Sequence, residues 1–483
     1  MVGTEARVCE VLVVGGGVVG GAVALRLADA GLGVALLAPP TDRAGQASRA
    51  AGAMLGVFSE VSADDKPARR ELDVGERLAA RRLYDGWVAD LADRSGLDIG
   101  IAPGLFVVAN NEGEDDERAV LAIAEAAASN GCAADSVSWR DVPGLQPEPR
   151  ARPFGVMHLP DEASVDTALL LDALDIVLAI HPMADVVHDR AVSLEPAADD
   201  EIVVRLESGA KRRARQVVLA SGTETTRLLV ASERLEPGLP PILCGRGVSM
   251  VVRAPFALPA AIRTPNRGFA CGTHLVPRAE GVYVGATNRL STMAAPARSA
   301  RLDELSTLVD AAVIELHTEL RHAELAAVIV GHRPVTLDGL PLAGRTADPR
   351  LLVGSATYRN GILLAPRMAE IVAGEVLEPG SQSGHAFSPR RKLDISPDAG
   401  WMSETAGRSL VAQLTTHGGR LAAGRSRELD QFVQLAIGAF LDDHGIDDGL
   451  RRKLARLVER APLEEVVPLV FETVARHRRG GAT

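Results

Sequence analysis

Val11-Leu12-Val13-Val14-Gly15-Gly16-Gly17-Val18-Val19-Gly20 joins a short, wholly apolar run to glycines spaced as GxGxxG. Four apolar residues bounded by glycine read as a strand. Ala22 to Ala30 then reads as a helix stopped by Gly31, and a second apolar run, Val34 to Leu37, completes a strand-helix-strand unit. In that context Gly15 permits the tight turn, Gly17 lets the amides around Val18 and Val19 approach a pyrophosphate, and Gly20 lets the helix pack closely on the strand. The helix start adds partial positive charge at the same place. The acidic residue that would close the second strand and bind ribose hydroxyls is replaced by Ala38, followed by Pro39 and Pro40. Backbone or water-mediated ribose contacts are therefore expected. Asp42 is the nearest carboxylate beyond them.

Outward from this unit, helical periodicity covers about Lys66 to Leu97 and Glu114 to Asn130, with a strand-like Gly104–Ala109 between them. Strand signals then recur at Ile202 to Leu206, Val217 to Ala220, Val248 to Val252, Val282 to Gly285 and Leu351 to Gly354. The alternation predicts an α/β chain: a Rossmann-type domain plus a second, mostly antiparallel sheet. Residues 378–400 are rich in Pro, Gly and Ser, as linkers are. Beyond about residue 405, apolar positions such as Phe432, Leu435, Ala439 and Leu450, Leu454, Leu457 recur at helical spacing and predict a helical extension.

With 483 residues, 47% of them hydrophobic, the chain has material for two or three ordinary globular domains. A formal charge of -11 argues against binding nucleic acid or an anionic membrane surface. Cys9, Cys132, Cys244 and Cys271 show no CxxC pairing, so neither zinc nor a disulfide framework is expected and a cytoplasmic setting is read. The apolar stretch from Val11 to Ala30, the one candidate for a membrane or signal segment, contains five glycines, Arg26 and Asp29, and a nucleotide-binding turn explains it better. His274, His322 and His332 stand apart, without a Ser-His-Asp pattern or metal-ligand spacing.

Seven separated stretches resemble the glycine oxidase and D-amino-acid oxidase family of FAD-dependent oxidoreductases over roughly residues 8–393. They are the glycine turn; Ala47-Ser48-Arg49-Ala50-Ala51-Gly52-Ala53-Met54-Leu55; Val217 to Gly222; Leu275-Val276-Pro277-Arg278; Val284 to Thr287; Gly331-His332-Arg333-Pro334 with Asp338-Gly339; and Arg359 to Pro366. The resemblance implies FAD, with Ala47, Ser48, Gly52, Ala53 and Met54 along the flavin, Val192 at the adenine, and Gly222 beside the cofactor. The loop of Thr357, Tyr358, Asn360, Gly361, Ile362 and Leu363 would offer amides to the ring, and amides there favour an anionic reduced flavin. It implies FAD-binding segments at about 8–60, 150–230 and 330–378, a substrate domain at about 61–149 and 231–329, a linker at 394–404 and the helical extension at 405–483.

Arg333 and Arg359 are the candidate substrate residues, because a guanidinium fork matches a carboxylate bidentately. The family's arginine in Gly-x-Arg-Pro pairs with the substrate carboxylate. Where that family commonly has a tyrosine and a methionine, this chain has His274 and Asn288, a more polar pocket that puts glycine itself in doubt as substrate. The resemblance implies oxidation of a small amine or amino acid by hydride transfer to flavin N5, hydrolysis of the imine to an oxo acid, and reoxidation by O2 to H2O2. Two enzymatic alternatives share the fold: a dehydrogenase with another electron acceptor, and a tailoring enzyme cleaving a larger N-carboxymethyl amine or hydrazine. A flavin-binding docking protein is the non-enzymatic alternative. The tail is expected to pack on the body or on a second subunit, making a homo-oligomer.

Overall fold

The computed structural model describes residues 8–39, 45–63, 67–110, 114–197, 200–232, 235, 237–266, 272–291, 299–382 and 384–391, with 441, 446 and 449. The chain divides into two compact units, one of residues 1–110, 118–266 and 270–394, the other of 111–117, 267–269 and 395–483. The expected linker and helical extension lie almost wholly outside the described residues, as do Asp42 and Cys271.

In the larger unit the quoted apolar run becomes the strand Val8–Val14, and the helix behind it runs Val18–Asp29. That helix starts four residues before the periodicity indicates, because Gly17 is its extended N-cap. Val8–Val14 lies between Val34–Leu37 and Lys211–Leu219, parallel to both. Ala184–Val187 continues the sheet on one side, and Leu351–Ser355 and Leu342–Arg345 on the other. The chain thus leaves the first strand toward one edge and later returns on its opposite side, and ligands of open α/β sheets sit beyond the strand ends at such a point.

Side chains of a strand alternate between faces, and both faces here are covered. Val11, Val13 and Leu36 pack with the helices Val18–Asp29, Thr167–Ile180 and Gly361–Leu377 in one core cluster. Leu12, Val14, Leu37 and Val217 join a second cluster with the hairpin of Ala191–Pro196 and Ile202–Leu206. This is why both runs read as continuously apolar.

The second sheet is mostly antiparallel. Its longest pair, Leu243–Arg253 with Glu324–Val335, lies toward one edge and is followed by Gly281–Gly285 and His274–Arg278. The expected helices appear as Pro67–Ser95 and Glu114–Ser129, and the intervening strand as Ile101–Ala109. Two strands of this sheet, Gly155–Val165 and Glu324–Val335, fall at the segment boundaries drawn from the sequence at 150 and 330. Composition does not say which sheet a strand joins. Register sets Arg333 opposite Gly245 and brings the Gly45–Gln46 strand alongside Gly331 and His332, so the two sheets meet where the candidate residues are.

Candidate active site

One long cavity is lined at one end by Gly15, Gly17, Val18 and Val19 and at the other by Arg333, Tyr358 and Arg359. At the first end the Gly15 amide donates to the Leu37 carbonyl at 2.9 Å, and the residue's φ of +122° is open to glycine. A β-carbon at Gly20 would lie 1.9 Å from the Gly15 oxygen, so this glycine serves helix packing and does not line the cavity. The Val18 amide donates to Ser48 Oγ at 3.1 Å, tying the helix start to the 47–54 segment.

That segment is fastened by donors from distant strands. The Ala51 carbonyl accepts from Arg278 at 2.5 Å and from Thr167 at 2.9 Å, and the Ala50 carbonyl from the Tyr283 hydroxyl at 2.9 Å. Ala47, Ser48, Gly52, Ala53 and Met54 all line the cavity. Ala53 has φ +58°, and Ala356 and Tyr358, in the turn before the helix Gly361–Leu377, have +61° and +47°. Non-glycine residues at such angles carry strain that surrounding structure must hold, as at binding sites.

Tyr358 is held by its amide, which donates to Pro334 O at 2.8 Å. Asn360 then caps the helix Gly361–Leu377, whose first amides have no partner within the helix. Thr357, Tyr358, Asn360, Gly361 and Ile362 line the cavity, whereas the Leu363 side chain is buried in the core. The positive end of this helix therefore faces the cavity, as does that of Val18–Asp29.

Arg333 projects from Glu324–Val335. Its Nη1 donates to the Thr287 carbonyl at 3.1 Å and to Asn288 Oδ1 at 3.3 Å, and among the described residues it has no carboxylate partner. Asn288 stands behind it rather than on the cavity wall. Gly247 makes room, since a β-carbon there would lie 2.2 Å from Nη1. An arginine on a cavity wall without a protein anion is a ready receptor for a ligand carboxylate.

Arg359 is placed differently. It pairs with Glu60 at 3.5 Å and donates to Asn266 Oδ1 at 2.9 Å. Glu60 is also bound by Arg263, which is only 1% exposed. Burial would raise the Glu60 carboxyl, but Arg263, then Arg359 and Arg77, pull it down to about 2. The turn that delivers Glu60 is fixed by Glu162, whose Oε1 accepts from the amides of Val57 at 2.9 Å and Ser59 at 3.0 Å. Sequence reasoning singled out neither Glu60 nor Arg263, whose partnership spans two hundred residues and leaves no local motif.

His274 is buried on the wall and stacks on Tyr283 with ring centroids 5.7 Å apart. Burial first, then nearby cationic arginines, push its pKa down to about 4 against the bond to the Gly272 carbonyl. The ring is neutral near pH 7. Its Nδ1 sits 2.8 Å from that carbonyl and must carry the proton, leaving Nε2 as an acceptor.

At the far end of the cavity the wall is made by Asp189, Arg190, Ala191, Glu224 and Arg227; Val192 is not part of it, although the three residues before it are. Ala38 lies buried beneath Gly16, Pro39 reaches the cavity, and Gly222 lines it. The signal missed at this end was the polar residues preceding Val192 and following Gly222. Among the described residues no group of His, Cys, Asp and Glu is arranged to hold a metal ion, and no helix is long and apolar enough to cross a membrane.

A parallel sheet carrying a glycine turn, joined to a second sheet that contributes an arginine wall, defines a two-sheet dinucleotide-binding oxidoreductase. The model of the FAD dependent oxidoreductase family, DAO, matches residues 10–375, and the chain belongs to that family. It is 30% identical over 380 residues to the glycine oxidase of Geobacillus kaustophilus (strain HTA426), covering 75% of this chain and 92% of that protein. It is 26% identical over 379 residues to the bifunctional protein ThiO/ThiG of Nostoc sp. (strain PCC 7120 / SAG 25.82 / UTEX 2576), covering 77% of this chain and 53% of that one. The crystal structure of the glycine oxidase from Geobacillus kaustophilus matches with a TM-score of 0.69 at 28% identity, covering 80% of this chain and 99% of that one.

FAD is the cofactor of this family, and the cavity fits it. Two helix N-termini face the same cavity, one suited to a pyrophosphate and one to an electron-rich ring edge. Between them Gly52 leaves open the space beside Tyr283 and His274, where a β-carbon would come within 2.9 Å of the tyrosine ring.

Proposed function

We propose that this FAD-dependent oxidoreductase oxidises a small amine or amino acid that bears a carboxylate. The observation that carries the reading is Arg333: a guanidinium on the cavity wall, without a protein anion among the described residues, beside the strained turn at Ala356 to Tyr358. When bound, FAD would supply the acceptor for the hydride on the carbon beside the amine nitrogen, with O2 the proposed final electron acceptor. Gly15, Gly17, Val18 and Val19 would hold the pyrophosphate half, with Ser48, which accepts from the Val18 amide, between it and the flavin, and Ala47, Gly52, Ala53, Met54 and the turn from Thr357 to Ile362 would enclose the ring.

The protein's part is orientation and charge. Arg333 fixes the carboxylate, which limits the approach of the adjacent carbon to the ring-binding end of the cavity. Neutral His274 offers an acceptor at Nε2 without adding a positive charge. Arg359 is already paired with Glu60, so its role is to shape the wall and raise the local positive potential rather than to clamp the substrate. The polar wall favours a substrate larger than glycine, such as an N-substituted glycine. The segments at about 8–60, 150–230 and 330–378 act as the FAD-binding part, with the second sheet as the substrate part.

The test is anaerobic bleaching of the bound flavin by glycine, sarcosine, D-amino acids and N-carboxymethyl amines, in the wild type and in Arg333→Leu. Bleaching by at least one of them, slowed 100-fold or more in the variant, is expected. Wild-type flavin that no member of the panel reduces, or equal rates in the two proteins, refutes the reading. Peroxide formation in air then reports whether O2 is the acceptor.

A further inference from the structure

We infer that Asn288 is a positioning residue that locks Arg333 with one edge of its guanidinium turned to the ligand. The inference rests on the reading of Arg333 as the carboxylate receptor and adds to it the residue that sets the guanidinium's orientation. Nη1 of an arginine carries two hydrogens. Both are used here, one by the Thr287 carbonyl at 3.1 Å and one by Asn288 Oδ1 at 3.3 Å. The Nε and Nη2 donors make no hydrogen bond to the described residues. Side by side, these two form the edge that meets a carboxylate with two parallel bonds.

The orientation of the Asn288 amide follows from its neighbours. An amide oxygen, not an NH2 group, must face the cation, so Nδ2 is directed the other way and donates to the Tyr358 hydroxyl at 2.5 Å. Tyr358 is itself pinned by its amide to Pro334, the residue following Arg333. Asn288 therefore closes a loop of contacts joining the guanidinium to the turn that precedes the helix Gly361–Leu377. Two glycines of the neighbouring strand make the space. A β-carbon at Gly245 would lie 3.1 Å from the Tyr358 ring and 3.2 Å from Asn288 Oδ1, and one at Gly247 would overlap the guanidinium. A methionine at 288 would supply neither bond.

The same geometry separates two isosteric changes. Asn288→Leu frees Nη1 and lets the guanidinium turn, while its charge remains. Asn288→Asp keeps the shape and places an anion on Nη1, so that the ligand carboxylate meets a guanidinium already neutralised.

The experiment titrates the full-length FAD-loaded protein with glycolate, a carboxylate without an amine, following the flavin absorption spectrum. It compares wild type, Asn288→Leu, Asn288→Asp, Tyr358→Phe and Arg333→Leu, with FAD dissociation measured for each. We expect glycolate to bind about tenfold more weakly to Asn288→Leu, the scale of one lost bond to a charged group, with FAD affinity within twofold of wild type. Asn288→Asp should weaken glycolate by 100-fold or more. Combining Asn288→Leu with Tyr358→Phe should add less than the sum of the two separate effects. Glycolate affinity unchanged in both Asn288 variants, or lost only in step with FAD, overturns the inference while leaving Arg333 as receptor if Arg333→Leu abolishes binding. Unchanged glycolate affinity in Arg333→Leu overturns the underlying reading as well.

Discussion

The guanidinium of Arg333 lies against the α-carbon of Gly247, so closely that a β-carbon there would sit 2.2 Å from Nη1 and 2.5 Å from Nη2. Gly247→Ala therefore displaces the guanidinium while leaving the strand pairing of Gly247 with Gly331 intact. KM for the substrate found in the bleaching screen should rise at least tenfold, with FAD content unchanged. Steady-state kinetics beside a flavin-to-protein absorbance ratio checks this; an unaltered KM would mean that the arginine does not grip the substrate.

Removing the negative charge at position 60 should act on stability before it acts on turnover. Glu60→Gln leaves the buried Arg263 without its anion, a loss of about 3–5 kcal/mol for a broken buried pair. The thermal midpoint should fall sharply at pH 7. Because the Glu60 carboxyl is held down at about 2, the stability it lends is complete above its ordinary value near 4.5 and disappears as pH falls toward 2. The gap between wild type and variant should accordingly narrow in acid, and a gap independent of pH would contradict the pairing.

His274 titrates in the opposite chemical sense but with the same direction of loss. Its folded pKa of about 4 lies below the ordinary 6.5, so the unfolded chain takes up the proton first and stability drains as pH falls from 6.5 to 4. At about 1.4 kcal/mol per unit, the contribution is on the order of 3 kcal/mol. His274→Gln should show a flatter decline of thermal midpoint across that window. No inflection in kcat/KM between pH 5 and 9 should disappear in the variant, since the ring is neutral throughout.

Ser48→Ala removes the acceptor of the Val18 amide at the start of the nucleotide-facing helix. A net hydrogen bond is worth about 0.5–1.5 kcal/mol, so FAD affinity should fall several-fold. Fluorescence of released FAD on dilution measures it. Equal retention in both proteins would show that Ser48 serves only the loop.

What the sequence revealed was local. The turn from Gly15 to Gly20 was legible because strand, glycines and helix are contiguous, and Arg333 because its motif is. The network of Glu60, Arg263 and Arg359 was not, since each partner is brought by a different part of the chain to one buried spot. Gly245 and Gly247 lie before the strand signal read at Val248, and only register, which sets Gly245 opposite Arg333, shows what they make room for. Arg359 read as a substrate arginine, whereas its neighbours show it already committed to a carboxylate. Val192 was placed within a few residues of the far wall, but alternation along a strand makes one residue the difference between facing the cavity and facing away.

The parallel sheet draws its neighbouring strands from opposite ends of the chain: Val8–Val14 touches Lys211–Leu219, which touches Leu351–Ser355. Translation at about 5–20 residues per second separates the first of these from the last by tens of seconds. Throughout that interval the nascent glycine turn exists without the helix that ends the cavity. Cofactor capture is thus a late event in biogenesis, and a newly made apolar strand must be shielded from other chains until its distant partners leave the ribosome.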